Sequence, residues 1–486
     1  MRLLFCCEFY FPSVGGVQEV MRQIAERMVM RGHQVTVATT RLTDRNFSEL
    51  NGVKVVEFAV TGNQARGIKG EVKRYQDFVV GFPCDGLLIK AAQQWTFDAL
   101  LPVLDRINAR KVFIPCGFSG LYEPAFAQYF QDLPAILCRF DHLIFYAEHY
   151  RDIDFARAHG IGHFSVVPNG ASELEFNVEP DPAFRARHAI PEDSFVLLTV
   201  GTLTGVKGHR EIAEAFARMH TRGQHVTWIM NGNPPPRPAV DTTPPPPAAP
   251  SAPGAPSVPV AARARRLLAW AGGRVVRVAG LAYRSFGVVR REGLAGVRQR
   301  VLALTAGVLE PLAAHLGQAN AVRRVARPLA YWLEQAQTQT KNKLLLQTDL
   351  PRGELVQAYM AADLFVFASN VEYSPLVLFE AAAAGTPFLS VPVGNAEEIA
   401  RWTGGGIICP APKDEHGYTR VEPLVLAQAI EEAMRGREHL RAMGKRARAA
   451  WLQQFTWGVI AERYEQLLQG APATAHATPI RQSGRS

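Results

Sequence analysis

Apolar residues in the first third of this chain fall into short runs separated by amphipathic stretches. Leu3–Phe5, Val35–Thr39, Val53–Phe58, Leu87–Lys90, Lys111–Ile114 and Leu143–Tyr146 are predicted strands. Between several of them the period becomes helical: in Gln18–Met30, the residues Val20, Ile24 and Met28 share one face. Alternating strand and helix predicts a parallel sheet with helices on both faces. The turn Val167-Pro-Asn-Gly170 closes this unit. A second unit starts at Phe195–Val200, followed by a glycine loop, a helix over His209–Met219 and a strand over Val226–Met230.

The pattern breaks after Asn231-Gly-Asn233. Residues 234–259 are rich in Pro and Ala, with four consecutive prolines at Pro244–Pro247, and are expected to be extended rather than packed. Residues 263–337 read as amphipathic helix, with Leu267, Trp270, Tyr283, Phe286, Tyr331 and Trp332 set among arginines. The strand and helix alternation resumes at Lys343–Gln347, with a helix over Gly353–Met360 and a buried-looking strand in Ala362–Ser369. Helices over Glu422–Met434, Glu438–Gln454 and Trp457–Leu468 precede a polar tail from Gly470.

The 486 residues allow two or three domains with large cores, and 48% hydrophobic with 20% charged residues is ordinary for a soluble globular chain. The net charge of +9 is uneven. Residues 263–343 hold fifteen Lys and Arg against Glu292, Glu310 and Glu334, a local +12 that leaves −3 for the rest. Six scattered cysteines show no disulfide or zinc spacing and read as reduced thiols of a cytosolic protein. The apolar start is cut short by Glu8 and reads as a first strand rather than a secretion signal. No apolar run is long enough to cross a membrane.

The most informative chemistry lies in Val371-Glu-Tyr-Ser-Pro-Leu-Val-Leu-Phe-Glu380, followed by Ala381–Ala384 and Gly385-Thr-Pro387. A helix opens after Pro375, so its free amides and positive dipole end face the carboxyl edge of a sheet, where a phosphate can bind. Glu372 and Glu380 cannot ligate that phosphate and are better suited to neutral hydroxyls. An anion flanked by carboxylates that hold hydroxyls points to a sugar nucleotide. Lys207, just before a helix, can meet the same anion, a charged hydrogen bond contributing about 1.5–3 kcal/mol. The glycine pair Gly15-Gly16, between a strand and a helix, lets backbone approach a ligand closely. Asp152-Ile-Asp154 reads as a solvated helix face rather than a metal site, and no metal is expected.

This segment resembles the paired-glutamate motif of retaining GT-B-fold glycosyltransferases of the family-4 type. Phe9-Tyr-Phe-Pro-Ser-Val-Gly-Gly-Val-Gln-Glu19 with Arg31-Gly-His-Gln-Val-Thr-Val37, Val167-Pro-Asn-Gly170, Val200-Gly-Thr-Leu-Thr-Gly-Val-Lys-Gly208 and Phe455-Thr-Trp457 resemble further segments of that family in order and spacing. The likeness covers nearly the whole chain except about 110 central residues.

The resemblance implies an α/β fold of two Rossmann-like domains with a helical insertion in the second. The first domain would span 1–170, and the second 171–233 with 343–456. A linker at 234–262 and a basic insertion at 263–342 would interrupt the second domain. A last helix at 457–469 would cross back to the first domain, and a tail at 470–486 would stay loose. Glu380 would accept from the ribose hydroxyls, and Glu372 would hold donor sugar hydroxyls and steady an oxocarbenium-like transition state. Amides near Ser374, Leu376 and Val377 would meet the diphosphate, with Lys207, Thr202, Gly15 and Gly16 around it. Transfer would go by attack on the face the phosphate leaves, without protein nucleophile, metal or cofactor.

Two positions depart from the family. Thr202 stands where an arginine is usual, so an unidentified arginine, Lys207 or backbone amides must carry the charge. Pro115-Cys-Gly-Phe118 replaces a segment that holds a histidine in many relatives, and His142 and His149 read as strand or helix margins instead. The expected function is transfer from a nucleotide diphosphate-sugar to a hydroxyl acceptor, a glycan or a lipid-linked one, in polysaccharide or glycoconjugate synthesis. A non-catalytic protein that binds sugar nucleotides or glycans is the alternative, and an inverting enzyme of the same fold a third reading. The basic insertion fits an anionic membrane surface, placing the protein in the cytoplasm and at the inner face. It also fits a self-packed appendage, and least well nucleic acid.

Overall fold

Strand-forming runs separated by helices give two parallel sheets in this computed structural model, which describes residues 1–232, 328–338, 342–413 and 418–471. The first sheet holds β1 (Arg2–Cys6), β2 (Gln34–Thr40), β3 (Glu49–Leu50), β4 (Val53–Phe58), β7 (Gly86–Lys90), β8 (Arg110–Ile114), β9 (His142–Phe145) and β10 (Phe164–Val166). Their order is β10-β9-β8-β7-β1-β2-β4-β3, parallel throughout except for β3. A small antiparallel hairpin of β5 (Val60–Asn63) and β6 (Gly67–Gly70) stands beside it.

The second sheet holds β11 (Phe195–Val200), β12 (Val226–Asn231), β13 (Lys343–Thr348), β14 (Leu364–Phe367), β15 (Phe388–Ser390) and β16 (Gly406–Ile408). It is wholly parallel, in the order β13-β12-β11-β14-β15-β16. Each sheet reverses its winding once, between β1 and β7 in the first and between β11 and β14 in the second. At such switch points the loops leaving the carboxyl ends diverge and open a crevice.

The helices that bear on the site are α1 (Gly16–Met30), α2 (Arg151–Ala158), α3 (His209–Arg218), α4 (Arg352–Ala361), α5 (Leu376–Ala384), α6 (Ala396–Thr403), α7 (Arg437–Gln454) and α8 (Trp457–Gln469). α8 starts at Thr456, whose hydroxyl accepts from the Val459 amide at 3.3 Å. Its apolar face, Ile460, Tyr464 and Leu467, joins Leu3, Phe5, Val20 and Ile24 in the core of the first lobe. Arg110 donates to the Leu467 carbonyl at 2.7 Å, fixing the far end. The turn leading out of the first lobe needs its glycine, since a Cβ on Gly170 would lie 2.3 Å from the Phe455 carbonyl oxygen.

By contact density the chain divides into Met1–Asn233 with Lys341–Ser486, and Pro234–Thr340. Of the latter only a helix over Pro328–Thr338 is described, on which the Tyr331 and Trp332 rings meet edge-on at 4.9 Å. The Pro/Ala-rich linker, the basic stretch up to residue 327 and the tail from residue 472 lie outside the described residues. Among the described residues no helix is long and apolar enough to cross a membrane, and all six cysteines are free thiols.

Candidate functional site

The second lobe contributes the loops after β11 and β14 and the start of α5. Pro375 precedes α5 and has no N–H, and the amides of Leu376 and Val377 behind it have no helical partner. Both residues line a crevice of about 630 Å³ between the two sheets' carboxyl edges. Lys207, from the loop after β11, donates to Glu372 Oε1 at 2.5 Å, and Ser369 donates to the same oxygen at 3.0 Å. The ammonium expected to meet an anion is thus paired with the acid expected to hold the sugar. The Ser374 carbonyl accepts from Asn169 Nδ2 at 3.1 Å, while the Ser374 hydroxyl is buried without a partner.

Glu380 lies one helical stretch deeper, accepting from Arg352 at 2.6 Å and from the Tyr359 hydroxyl at 3.0 Å. Arg352 opens α4 and also donates to Glu175 at 2.7 Å. It brings to this half of the crevice the guanidinium that Thr202 does not. Sequence reasoning left that arginine unidentified. The only signal was Pro351-Arg352 at a helix start directly after a strand, which many surface arginines share.

The first lobe contributes the loop after β1 and the first turn of α1. Gly15 and Gly16 line the crevice, and a Cβ on Gly16 would meet no protein atom within 4 Å. Internal packing therefore does not require a glycine there; the vacant space faces the crevice. Arg22 donates to both Glu19 and Glu26. Burial would raise the Glu19 carboxyl, but its bonds from Arg22 hold it below its ordinary value. Lys90, the last residue of β7, also lines the crevice and is 1% exposed. Burial drives its pKa down to about 8. No pattern in the sequence distinguished it from a strand-end surface lysine.

The lobes are fastened beside the crevice. Tyr150 donates to the Glu372 carbonyl at 2.7 Å, and its ring stacks on Tyr373 with centroids 4.5 Å apart. The Tyr373 hydroxyl accepts from the Tyr146 amide at 3.0 Å and donates to Asp152. Glu398 on α6 accepts from the amides of Glu148 and His149 at 2.8 and 2.9 Å. The reading of Asp152 as part of a solvated face is corrected: it is fully buried and accepts from the Gly117 amide at 2.7 Å. The reason is local. The 115–118 turn folds beneath α2, and its inward amide needs an acceptor. Burial raises Asp152 to about 6.

Every residue singled out from the sequence, Gly15, Gly16, Thr202, Lys207, Glu372, Ser374, Leu376, Val377 and Glu380, lines this one crevice. His142 and His149 do not; His142 opens β9 against Ser165 and His149 is exposed. Among the described residues no three of His, Cys, Asp and Glu gather into a metal-binding group. Two parallel α/β lobes with a crevice between their switch points define the GT-B architecture.

Comparison with known proteins agrees. Residues 328–450 match the family described as glycosyl transferases group 1. A D-inositol 3-phosphate glycosyltransferase of Nocardia farcinica is 35% identical over 112 residues, 23% of this chain and 23% of the relative. The matched stretch thus spans about a quarter of that relative's length. Among solved structures, a sucrose-phosphate synthase from Thermosynechococcus elongatus superposes with a TM-score of 0.60 at 17% identity, covering 96% of this chain and 98% of that one. The Anabaena protein HepE in complex with UDP and glucose gives a TM-score of 0.58 at 15% identity, covering 97% and 100%. The fold is GT-B, and residues 328–450 are similar to the group 1 glycosyl transferases.

Proposed function

We propose that this chain transfers a hexosyl or related sugar from a nucleoside diphosphate-sugar to a hydroxyl acceptor, with retention of anomeric configuration and without a metal or cofactor. The observation that carries this reading is the pairing at the start of α5. Two unpartnered amides, Lys207 with Glu372 and Arg352 with Glu380 converge on one crevice. The diphosphate would take Lys207 from Glu372, freeing that carboxylate for the sugar's hydroxyls. Glu380, steadied by Arg352 and Tyr359, would accept from the ribose. The space at Gly16 would admit the substrate against backbone.

In the reaction the bond from the anomeric carbon to the phosphate oxygen breaks, and the acceptor oxygen bonds to that carbon on the same face. The acceptor's proton passes to the departing phosphate. Lys207, Arg352 and the α5 amides would stabilise the charge that develops there, the role a metal ion plays elsewhere. Phe11 and Val14 stand exposed at the crevice mouth, which favours a lipid-linked acceptor over a free sugar. Synthesis of a polysaccharide or glycoconjugate in the cytoplasm, at an anionic inner membrane face, fits that acceptor and the basic insertion.

The test is kinetic and stereochemical. With UDP-sugars as first donors, Glu380→Ala should weaken nucleotide binding roughly ten- to a hundredfold, the value of a charged hydrogen bond. Lys207→Ala should lower turnover more than affinity. NMR of the product should show the donor's anomeric configuration; unchanged kinetics in both variants, or an inverted product, ends the reading. A protein that binds the nucleotide and never transfers would support the non-catalytic alternative.

A further inference from the structure

Away from the crevice, α7 turns an unbalanced positive face to water. Its buried side, Leu440, Met443, Ala447 and Trp451, packs on the second lobe. On the other side Arg441, Lys445 and Arg446 are exposed, and Glu438 is the one acid of the helix. Among the described residues no carboxylate forms an ion pair with these three cations. The chain outside residues 263–343 carries a net −3, so the excess is local.

The face continues into apolar surface. Arg441, Lys445, Arg448 and Leu452 follow one another at i, i+4, i+7 and i+11, a single stripe along the helix. Arg448 turns inward and donates to the Phe176 carbonyl at 3.2 Å, and Trp451 donates to the Ala171 carbonyl at 3.1 Å. These bonds lay the segment 171–178 along the last turns of α7. At that end Leu174, Val178 and Leu452 are 63%, 42% and 50% exposed. Single exposed aliphatics are ordinary, whereas three at one end of a cationic stripe make an amphipathic patch. Of the acids nearby, Glu173 and Glu175 are paired with Arg27 and Arg352. Glu438 and Glu179 stand at the patch's borders.

We propose that this patch is a membrane contact built into the second lobe. Arg441, Lys445 and Arg446 lie against anionic lipid headgroups, and Leu452, Leu174 and Val178 enter the boundary beneath them. Headgroups complement the cations and the acyl boundary takes the aliphatic tips, so one bilayer satisfies the whole patch. Glu175, next to Leu174, lines the crevice, so the contact holds the crevice close to lipid. This rests on the membrane reading given above. With three cations it is the weaker of two contacts and orients a chain that the insertion holds, since stable attachment takes two signals.

Partitioning of the full chain onto phosphatidylcholine–phosphatidylserine vesicles tests the contact. Arg441→Gln with Lys445→Gln should lower the partition constant about twenty-fivefold, about fivefold for each charge, and the deficit should shrink as salt rises. Leu174→Ser with Leu452→Ser should lower it roughly tenfold at every salt concentration. Arg2→Gln with Lys54→Gln makes the same charge change on exposed residues of the first lobe and should alter it by less than about twofold. All the substituted side chains are exposed, so each variant should melt with the wild type. If the wild type partitions and both α7 variants match it, the inference is overturned and the membrane reading is left to the insertion. An equal loss in the first-lobe variant assigns the effect to net charge and also overturns the contact. A wild type that does not partition at all overturns the membrane reading itself.

Discussion

At the level of single residues, side chains whose place follows from their neighbours in the chain were readable, and those whose place follows from burial were not. Glu372, Glu380 and Lys207 stand next to helix starts and glycines, and all three line the crevice as the sequence predicts. Lys90 and Asp152 carry no such local mark; only the fold removes them from water. Lys90 has a measurable cost. Its pKa falls from the ordinary 10.5 to about 8, so the folded chain releases a proton that the unfolded chain keeps between those values. Stability from this group therefore rises with pH across that window, and is lowest below it, where charge must be buried. Lys90→Met should stabilise the protein at neutral pH by roughly 3 kcal/mol. The gain should shrink through the window and vanish above it. Urea unfolding as a function of pH measures this, and a variant less stable than wild type at neutral pH contradicts it.

At the level of elements, long apolar strands and strongly periodic helices were readable to within a residue or two: β4, predicted over Val53–Phe58, occupies Val53–Phe58, and α7, predicted over Glu438–Gln454, starts one residue earlier. The β5–β6 hairpin was missed because Thr61-Gly-Asn and Gly67-Ile-Lys-Gly have little apolar content to alternate. The fastening between lobes was also hidden, since it joins residues more than 200 positions apart. There Gly117, with φ +89°, leaves room for the Tyr373 ring, because a Cβ would lie 3.2 Å from it. That ring, between Tyr146 and Tyr150, sets where the loop bearing Glu372 rests. Tyr150→Phe keeps the stacking but removes the bond to the Glu372 carbonyl, a loss of about 1 kcal/mol. If that bond holds Glu372 in place, turnover should fall about fivefold with nucleotide affinity unchanged. Equal losses in both would assign Tyr150 to general lobe closure instead.

At the level of the whole molecule, the insertion sits at a telling point of the topology. β12 and β13 are parallel neighbours, with Val226 beside Lys343 and Asn231 beside Thr348. The chain must therefore return the length of the sheet between them, which takes a dozen or more residues. The family match begins at residue 328, fifteen residues before β13. Removal of residues 233–327, which spares the family match, should leave a foldable chain, while a cut reaching Asn342, which removes its start and the residues needed for a return, should not. The segment removed holds fourteen Lys and Arg against Asp241, Glu292 and Glu310, a net +11, which leaves −2 for the remainder. Each basic residue near an anionic bilayer contributes on the order of 1 kcal/mol. The full chain should then sediment with phosphatidylserine vesicles at low salt and detach as salt rises, and the shortened chain should stay in solution while still transferring sugar to a soluble acceptor. Sedimentation of both forms to the same extent would remove the membrane role and leave the insertion as an appendage without effect on where the protein resides.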